Sequence, residues 1–180
     1  MSFIGIDAAG SRLVVAELNG RKLKIYCKDN LNFLLEEKEL ERVLIDIPIG
    51  LADKSEYRQC DALCRDLISG RSSCFFAPDI NAYSKWIKID KQKKKLNKIQ
   101  KELNQKLSRV KLSSQVVAIM PKIEEVRTFL ETNGRAIKGE IFESHPELCF
   151  SGLKKGELSK KSSATVLSEA KYSKRAYRYC

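Results

Sequence analysis

Three carboxylates stand where an apolar strand has no use for one. Asp7 closes the run Phe3-Ile4-Gly5-Ile6, Asp46 interrupts Val43-Leu44-Ile45 before Ile47, and Glu143 follows Ile141-Phe142. A carboxylate drawn out of water costs several kcal/mol unless it is ionically paired or hydrogen-bonded. In α/β sheets, ligand sites gather at the carboxyl ends of strands. Converging carboxylates there make an oxygen-rich site of the kind Mg²⁺ or Mn²⁺ prefers. Two such ions about 4 Å apart can activate a water and stabilise the leaving oxygen of a phosphodiester. Asp7, Asp46 and Glu143 are therefore candidate metal ligands. The alternative is local: Asp7 bonding the backbone at Ala8 to Gly10, and Asp46 the backbone at Gly50. His145, the single histidine of the chain, lies two residues past Glu143. It is a candidate ligand or proton carrier, with a structural role as its alternative.

The elements that must position these groups are legible from period and punctuation. The apolar run ending at Asp7, the stretch Arg12 to Leu18, and the alternation of Leu23, Ile25 and Cys27 read as three strands in meander order, with Asn19-Gly20 as a hairpin turn. Asn30 to Glu41 carries Leu31, Leu34, Leu35 and Leu40 at helical spacing. Val43 to Ile47 reads as a strand buried on both faces. A helix is expected from Asp53, with Glu56 completing a capping box and Tyr57, Cys60, Cys64 and Leu67 as its stripe. From Asn81 to Lys111 the pattern is helical, with Trp86, Ile89, Leu96, Ile99, Leu103 and Leu107 as a thin ridge that suits a surface arm. Ser114 is expected to cap a helix that Pro121 interrupts. Ile137 to Phe142 is the fifth strand, Pro146 opens a short helix, and Ser163 to Arg178 closes the chain as another. The result is one α/β domain over residues 1–180, with a basic helical insertion at 81–112.

The 180 residues suffice for a packed core without disulfides or a structural metal. No apolar run approaches the roughly 20 residues of a membrane helix, and no membrane association is expected. The opening Met1 to Asp7 lacks the pattern of a signal peptide, so a cytoplasmic location is expected. The six cysteines show no CxxC spacing and read as reduced thiols, with Cys60 and Cys64 as small buried hydrophobes. The net charge of +11 is local. Between Lys85 and Lys111 stand eleven Lys or Arg against Asp90 and Glu102, so this segment alone carries 11 minus 2, or +9. Such a segment, Lys94 and Lys95 included, contacts phosphates without reading sequence. Tyr83 and Trp86 at its base are candidates for stacking on bases. A solvated lysine-rich face is the plain alternative.

Taken in order, several blocks carry a specific resemblance. Gly5-Ile6-Asp7, Asp46-Ile47-Pro48-Ile49-Gly50-Leu51, Arg58-Gln59-Cys60-Asp61 with Arg65, and Gly70-Arg71-Ser72-Ser73 with Phe75 and Pro78 are followed by Leu112-Ser113-Ser114-Gln115, Lys122-Ile123-Glu124-Glu125-Val126, Glu143-Ser144-His145-Pro146-Glu147-Leu148-Cys149-Phe150 and Ser159-Lys160-Lys161. Together they resemble the DUF429 family of predicted RNase H-like nucleases. The resemblance implies a five-stranded mixed sheet, its first three strands antiparallel and the other two parallel, flanked by helices. It also implies metal-dependent hydrolysis of DNA or RNA. By position, Asp7 and Asp46 match the strand carboxylates of the metal site, and Glu143 and His145 match the block beside it. Arg58, Asp61, Arg65 and Arg71 match polar positions that hold phosphate or brace the site; pairing of Arg58 and Arg65 with Asp61 is the alternative. One departure concerns the last metal ligand, which such nucleases place on a further C-terminal helix. Here the final Asp is Asp90, and the carboxylates after Glu147 are Glu157 and Glu169. Relative to the family the domain is expected to be short at this end, with Glu169 substituting or the site incomplete.

Two other functions compete with the nuclease. A nucleic-acid-binding protein of the same fold with a weakened metal centre would keep the basic segment alone. ATP hydrolysis, known in the wider fold, needs glycine-rich phosphate loops, and this chain has no two adjacent glycines.

Overall fold

The computed structural model describes residues 1–53, 58–67, 77–89, 96–106 and 112–149. The chain divides into two compact units, one of Met1–Arg58 with Phe76–Ser144 and one of Gln59–Phe75 with His145–Cys180.

The first unit is built on a five-stranded sheet. Strands β1 (Ser2–Ala9), β2 (Arg12–Asn19) and β3 (Lys22–Lys28) form an antiparallel meander, and β4 (Leu40–Ile45) and β5 (Glu140–Glu143) add in parallel, giving the order β3-β2-β1-β4-β5. Gly20, the first residue of the β2–β3 turn, takes φ +57°, a backbone conformation that side chains with a Cβ disfavour. The segment expected as a helix from Asn30 to Glu41 makes only a short 3₁₀ turn, Leu31–Leu35, capped by the Asn30 side chain accepting from the Asn32 N–H at 3.0 Å. Leu40, assigned to that helix by spacing, instead opens β4. β4 is also not buried on both faces: Val43 and Ile45 are buried, whereas Leu44 is 40% exposed.

Helices α2 (Ile80–Ile87), α3 (Leu96–Lys106) and α4 (Ser114–Asn133) complete this unit. Asp79 caps α2, its carboxylate accepting from the Ala82 N–H. Ser113, one residue before the expected cap, caps α4 by accepting from the Val116 N–H. Pro121 does not interrupt α4. A mid-helix proline costs about 3 kcal/mol, but it lies on the exposed side, and the fully buried Val117, Met120, Ile123 and Val126 hold the helix on both flanks. Four residues of the ridge expected on a surface arm are likewise core: Trp86, Ile89, Ile99 and Leu103 are buried in one cluster with Ile4, Ile6, Val15, Val43 and Ile45, whereas Leu96 is 43% exposed and Leu107 lies outside the described residues. Asn104 clasps Leu112 from both sides, accepting its N–H at 2.8 Å and donating to its carbonyl at 3.1 Å.

β5 begins three residues later than the apolar pattern suggests. Gly139 leads into it so close to β4 that a Cβ there would meet Leu40 Cγ at 2.8 Å and the Leu40 carbonyl oxygen at 2.9 Å.

The second unit contains α1 (Gln59–Leu67) and a helical turn at 146–149. α1 starts at Gln59, not Asp53, since Arg58 is non-helical. Glu56 and Tyr57 lie outside the described residues. Asp61 is the buried residue of α1, whereas Leu67 is 68% exposed and Cys60 is exposed, so the expected apolar stripe is not what this helix buries. No described helix is long and apolar enough to cross a membrane.

Candidate functional site

Strand alternation sorts the sheet into two faces. On β1, Ile4 and Ile6 turn into the core, which leaves Phe3, Gly5 and Asp7 on the outer face; on β4, Val43 and Ile45 turn inward, which leaves Arg42, Leu44 and Asp46 outside. The parallel register pairs Gly5 with Leu44 and Ile6 with Ile45, and the Asp46 N–H continues the ladder by donating to the Ile6 carbonyl at 2.9 Å. Asp7 and Asp46 are thus neighbours in one row on one face, on strands roughly 4.8 Å apart. On β5 the ladder runs on in the same way, with the Ser144 N–H donating to the Ile45 carbonyl at 2.9 Å. Ser144 therefore extends the row to Asp7, Asp46, Ser144, ending on a hydroxyl that composition gave no reason to single out. Counting one residue past Glu143 finds it only once the register is known.

The carboxylate of Asp7 is exposed and takes no hydrogen bond or ion pair among the described residues, so the local backbone-capping alternative does not hold for it. Asp46 is half-buried. A divalent cation bound by both carboxylates would balance their charge. Their hard oxygen donors fit Mg²⁺ or Mn²⁺. Among the described residues, no group of three His, Cys, Asp or Glu side chains comes together as a metal site.

Glu143 does not join the row. It pairs with Ile45 across the parallel ladder and so belongs to the opposite face. There its Oε1 accepts from Arg58 Nη2 at 2.6 Å, and its Oε2 accepts from Arg58 Nη1 at 2.6 Å and from the Ile49 N–H at 2.8 Å. Arg58 Nη1 also donates to the Gly50 carbonyl at 3.0 Å. Glu143, expected as a metal ligand, and Arg58, expected at a phosphate, are thus joined to each other by a fork of charge-assisted bonds.

Trp86, expected to stack on a base, is 2% exposed and stacked on Tyr83 at 5.9 Å between ring centroids. Arg127 lies 5.5 Å from the Tyr83 ring centroid, and burial raises the Tyr83 phenol above its usual pKa, as does the charge of Glu124.

In the second unit, Arg65 is half-buried on α1, and His145 Nδ1 stands 3.0 Å from Glu147 Oε2. Arg71, Lys94, Lys95, Glu157 and Glu169 lie outside the described residues. Lys88, Lys98 and Lys101 of the basic segment are exposed. Sequence reasoning also missed Lys122, a buried cation on α4 that donates to the Ser11 carbonyl at 2.9 Å and to Glu125 at 2.8 Å. It ties α4 to the β1–β2 turn.

The sequence matches the family model described as a protein of unknown function, DUF429, over residues 5–178. The chain is a member of the DUF429 family. No curated protein and no solved structure matches it. In this DUF429 protein the residues of the match include both row aspartates, the Arg58–Glu143 pair and His145.

Proposed function

We propose that this DUF429 protein is an RNase H-like, divalent-metal-dependent nuclease acting on phosphodiester bonds of DNA or RNA. One observation carries the reading: Asp7 and Asp46 lie side by side on one sheet face, at the carboxyl ends of two parallel strands. The mixed sheet with its first three strands antiparallel agrees with the fold that the family resemblance implies. Asp7 and Asp46 would hold Mg²⁺ or Mn²⁺. When bound, the metal supplies Lewis acidity toward a phosphodiester and lowers the pKa of a water. The protein's part would be to hold the two carboxylates in one row at the strand ends. His145, one residue beyond the row, is the candidate proton carrier. The basic segment from Lys85 to Lys111, Lys94 and Lys95 included, together with Arg65 and Arg71, would draw the nucleic-acid backbone in without reading bases.

The test is cleavage of single-stranded, duplex and hybrid substrates with Mn²⁺ or EDTA, beside Asp7→Asn and Asp46→Asn. Cleavage is expected with Mn²⁺ and lost in EDTA and in each variant. Persistence in EDTA or in both variants overturns the metal mechanism. Salt-sensitive binding with no cleavage turns the assignment to a nucleic-acid-binding protein of the same fold.

A further inference from the structure

We propose that Arg58 and Glu143 are positioning residues that clamp the loop leaving Asp46, and that Glu143 serves the metal centre through this loop rather than as a ligand. The inference rests on the reading that Asp46 holds a divalent ion.

Asp46 is the first residue past β4, so its carboxylate is placed by the end of a strand and by the loop behind it. That loop is Ile47-Pro48-Ile49-Gly50-Leu51, and two sets of bonds fix it. Glu143 accepts the Ile49 N–H, Arg58 donates to the Gly50 carbonyl, and the two side chains close on each other through both guanidinium nitrogens. Just beyond, the Ala52 carbonyl accepts the Ile80 N–H at 3.0 Å, at the start of capped α2. The loop is therefore anchored to β5, to Arg58 and to α2 within four residues of Ile49.

Both oxygens of Glu143 are in use. A carboxylate offers about four lone-pair positions, and three are taken by the two Arg58 bonds and the Ile49 amide. Turning Glu143 toward a metal would break both of its bonds to Arg58, whose side chain is 11% exposed, and release the Ile49 amide. Ligating carboxylates need support of this kind, because a site works only when the donors stay within about 0.5 Å of their productive positions.

The experiment measures two quantities in wild type, Arg58→Gln, Glu143→Gln and the double variant: amide hydrogen exchange across residues 47–51, and Mn²⁺ affinity by titration calorimetry. Arg58→Lys keeps the charge but loses the two-pronged geometry, and it serves where Arg58→Gln does not fold. The clamp predicts faster exchange in every variant. It also predicts about tenfold weaker Mn²⁺ binding in each single variant, with the double variant no weaker than either. Unchanged exchange overturns the clamp. Faster exchange with unchanged Mn²⁺ affinity overturns its service to Asp46. Glu143→Gln weakening Mn²⁺ as much as Asp46→Asn, while Arg58→Gln does not, makes Glu143 a ligand and overturns the proposal. If wild type binds Mn²⁺ no better than Asp7→Asn, the metal reading itself has failed; exchange alone then supports or overturns the clamp.

Discussion

The two faces of the sheet are built by the same strands and meet different surroundings. On the core face, Ile4, Ile6, Leu13, Val15, Val43 and Ile45 are each 3% exposed or less; on the outer face, Phe3, Leu44 and Phe142 are 40 to 44% exposed and the row of Asp7, Asp46 and Ser144 lies at the strand ends. A period of two residues puts neighbours in the chain on opposite sides, so Ile45 and Asp46 share a backbone but not an environment. Single substitutions can therefore address one face at a time. Glu143 pairs with Ile45 and so lies on the core side of this division, where Arg58 holds it.

The sharpest way to break the comparison is to change one residue on each face. Ile45→Ala removes a fully buried side chain from the centre of the cluster and is expected to lower unfolding stability by about 2–5 kcal/mol. Asp7→Asn, on the outer face, is expected to stay within about 0.5 kcal/mol of wild type. Urea unfolding of both variants checks the pair. Equal losses would mean that the faces are not energetically distinct.

Next in size is Gly139→Ala. The new methyl would lie 2.8 to 3.0 Å from Leu40 Cγ and from the Leu40 and Glu41 carbonyl oxygens, and pushing β5 off β4 is expected to cost about 1–3 kcal/mol. Because β5 carries Glu143, which accepts the Ile49 N–H, this variant should also speed amide exchange at Ile49. A Tm equal to wild type would contradict the close β4–β5 approach.

The smallest effect concerns the rim of the core face, where Tyr26 Oη donates to Glu17 Oε2 at 3.2 Å. Burial, with the charge and hydrogen bond of Glu17 and the charge of Glu37, pushes the Tyr26 phenol up to about 12. The folded state thus holds the proton more tightly than the unfolded chain, whose phenol titrates near 10. The associated stability is fully present below pH ~10 and is lost as pH rises through about 12. Spectrophotometric titration of tyrosinate should show this late ionisation, moved to lower pH by Glu17→Gln. An unchanged titration would remove Glu17 from the account.

These contrasts also mark what the sequence could disclose. The three-stranded meander was legible because Asn19-Gly20 and the alternation of Leu23, Ile25 and Cys27 are local signals. Asp7 and Asp46 stood out because each breaks an apolar run. The face of Glu143 was not legible, since it depends on pairing with Ile45 across nearly a hundred residues of chain. A single residue of register reverses every side chain of a strand. The burial of Trp86 and Leu103 was hidden for a related reason: a thin apolar ridge among lysines looks solvated until other helices cover it, with the charges left at the rim. Pro121 misled because its local penalty is outweighed by packing on both sides of it. Leu31 to Leu40 had helical spacing, yet Leu40 is claimed by the parallel ladder with β1.

The most direct test of the central claim is anomalous diffraction from crystals soaked in Mn²⁺. The account predicts a manganese peak bonded by both Asp7 and Asp46, with Glu143 still held by Arg58. A peak at Glu143 with Arg58 displaced, or none near the two aspartates at saturating Mn²⁺, would contradict it.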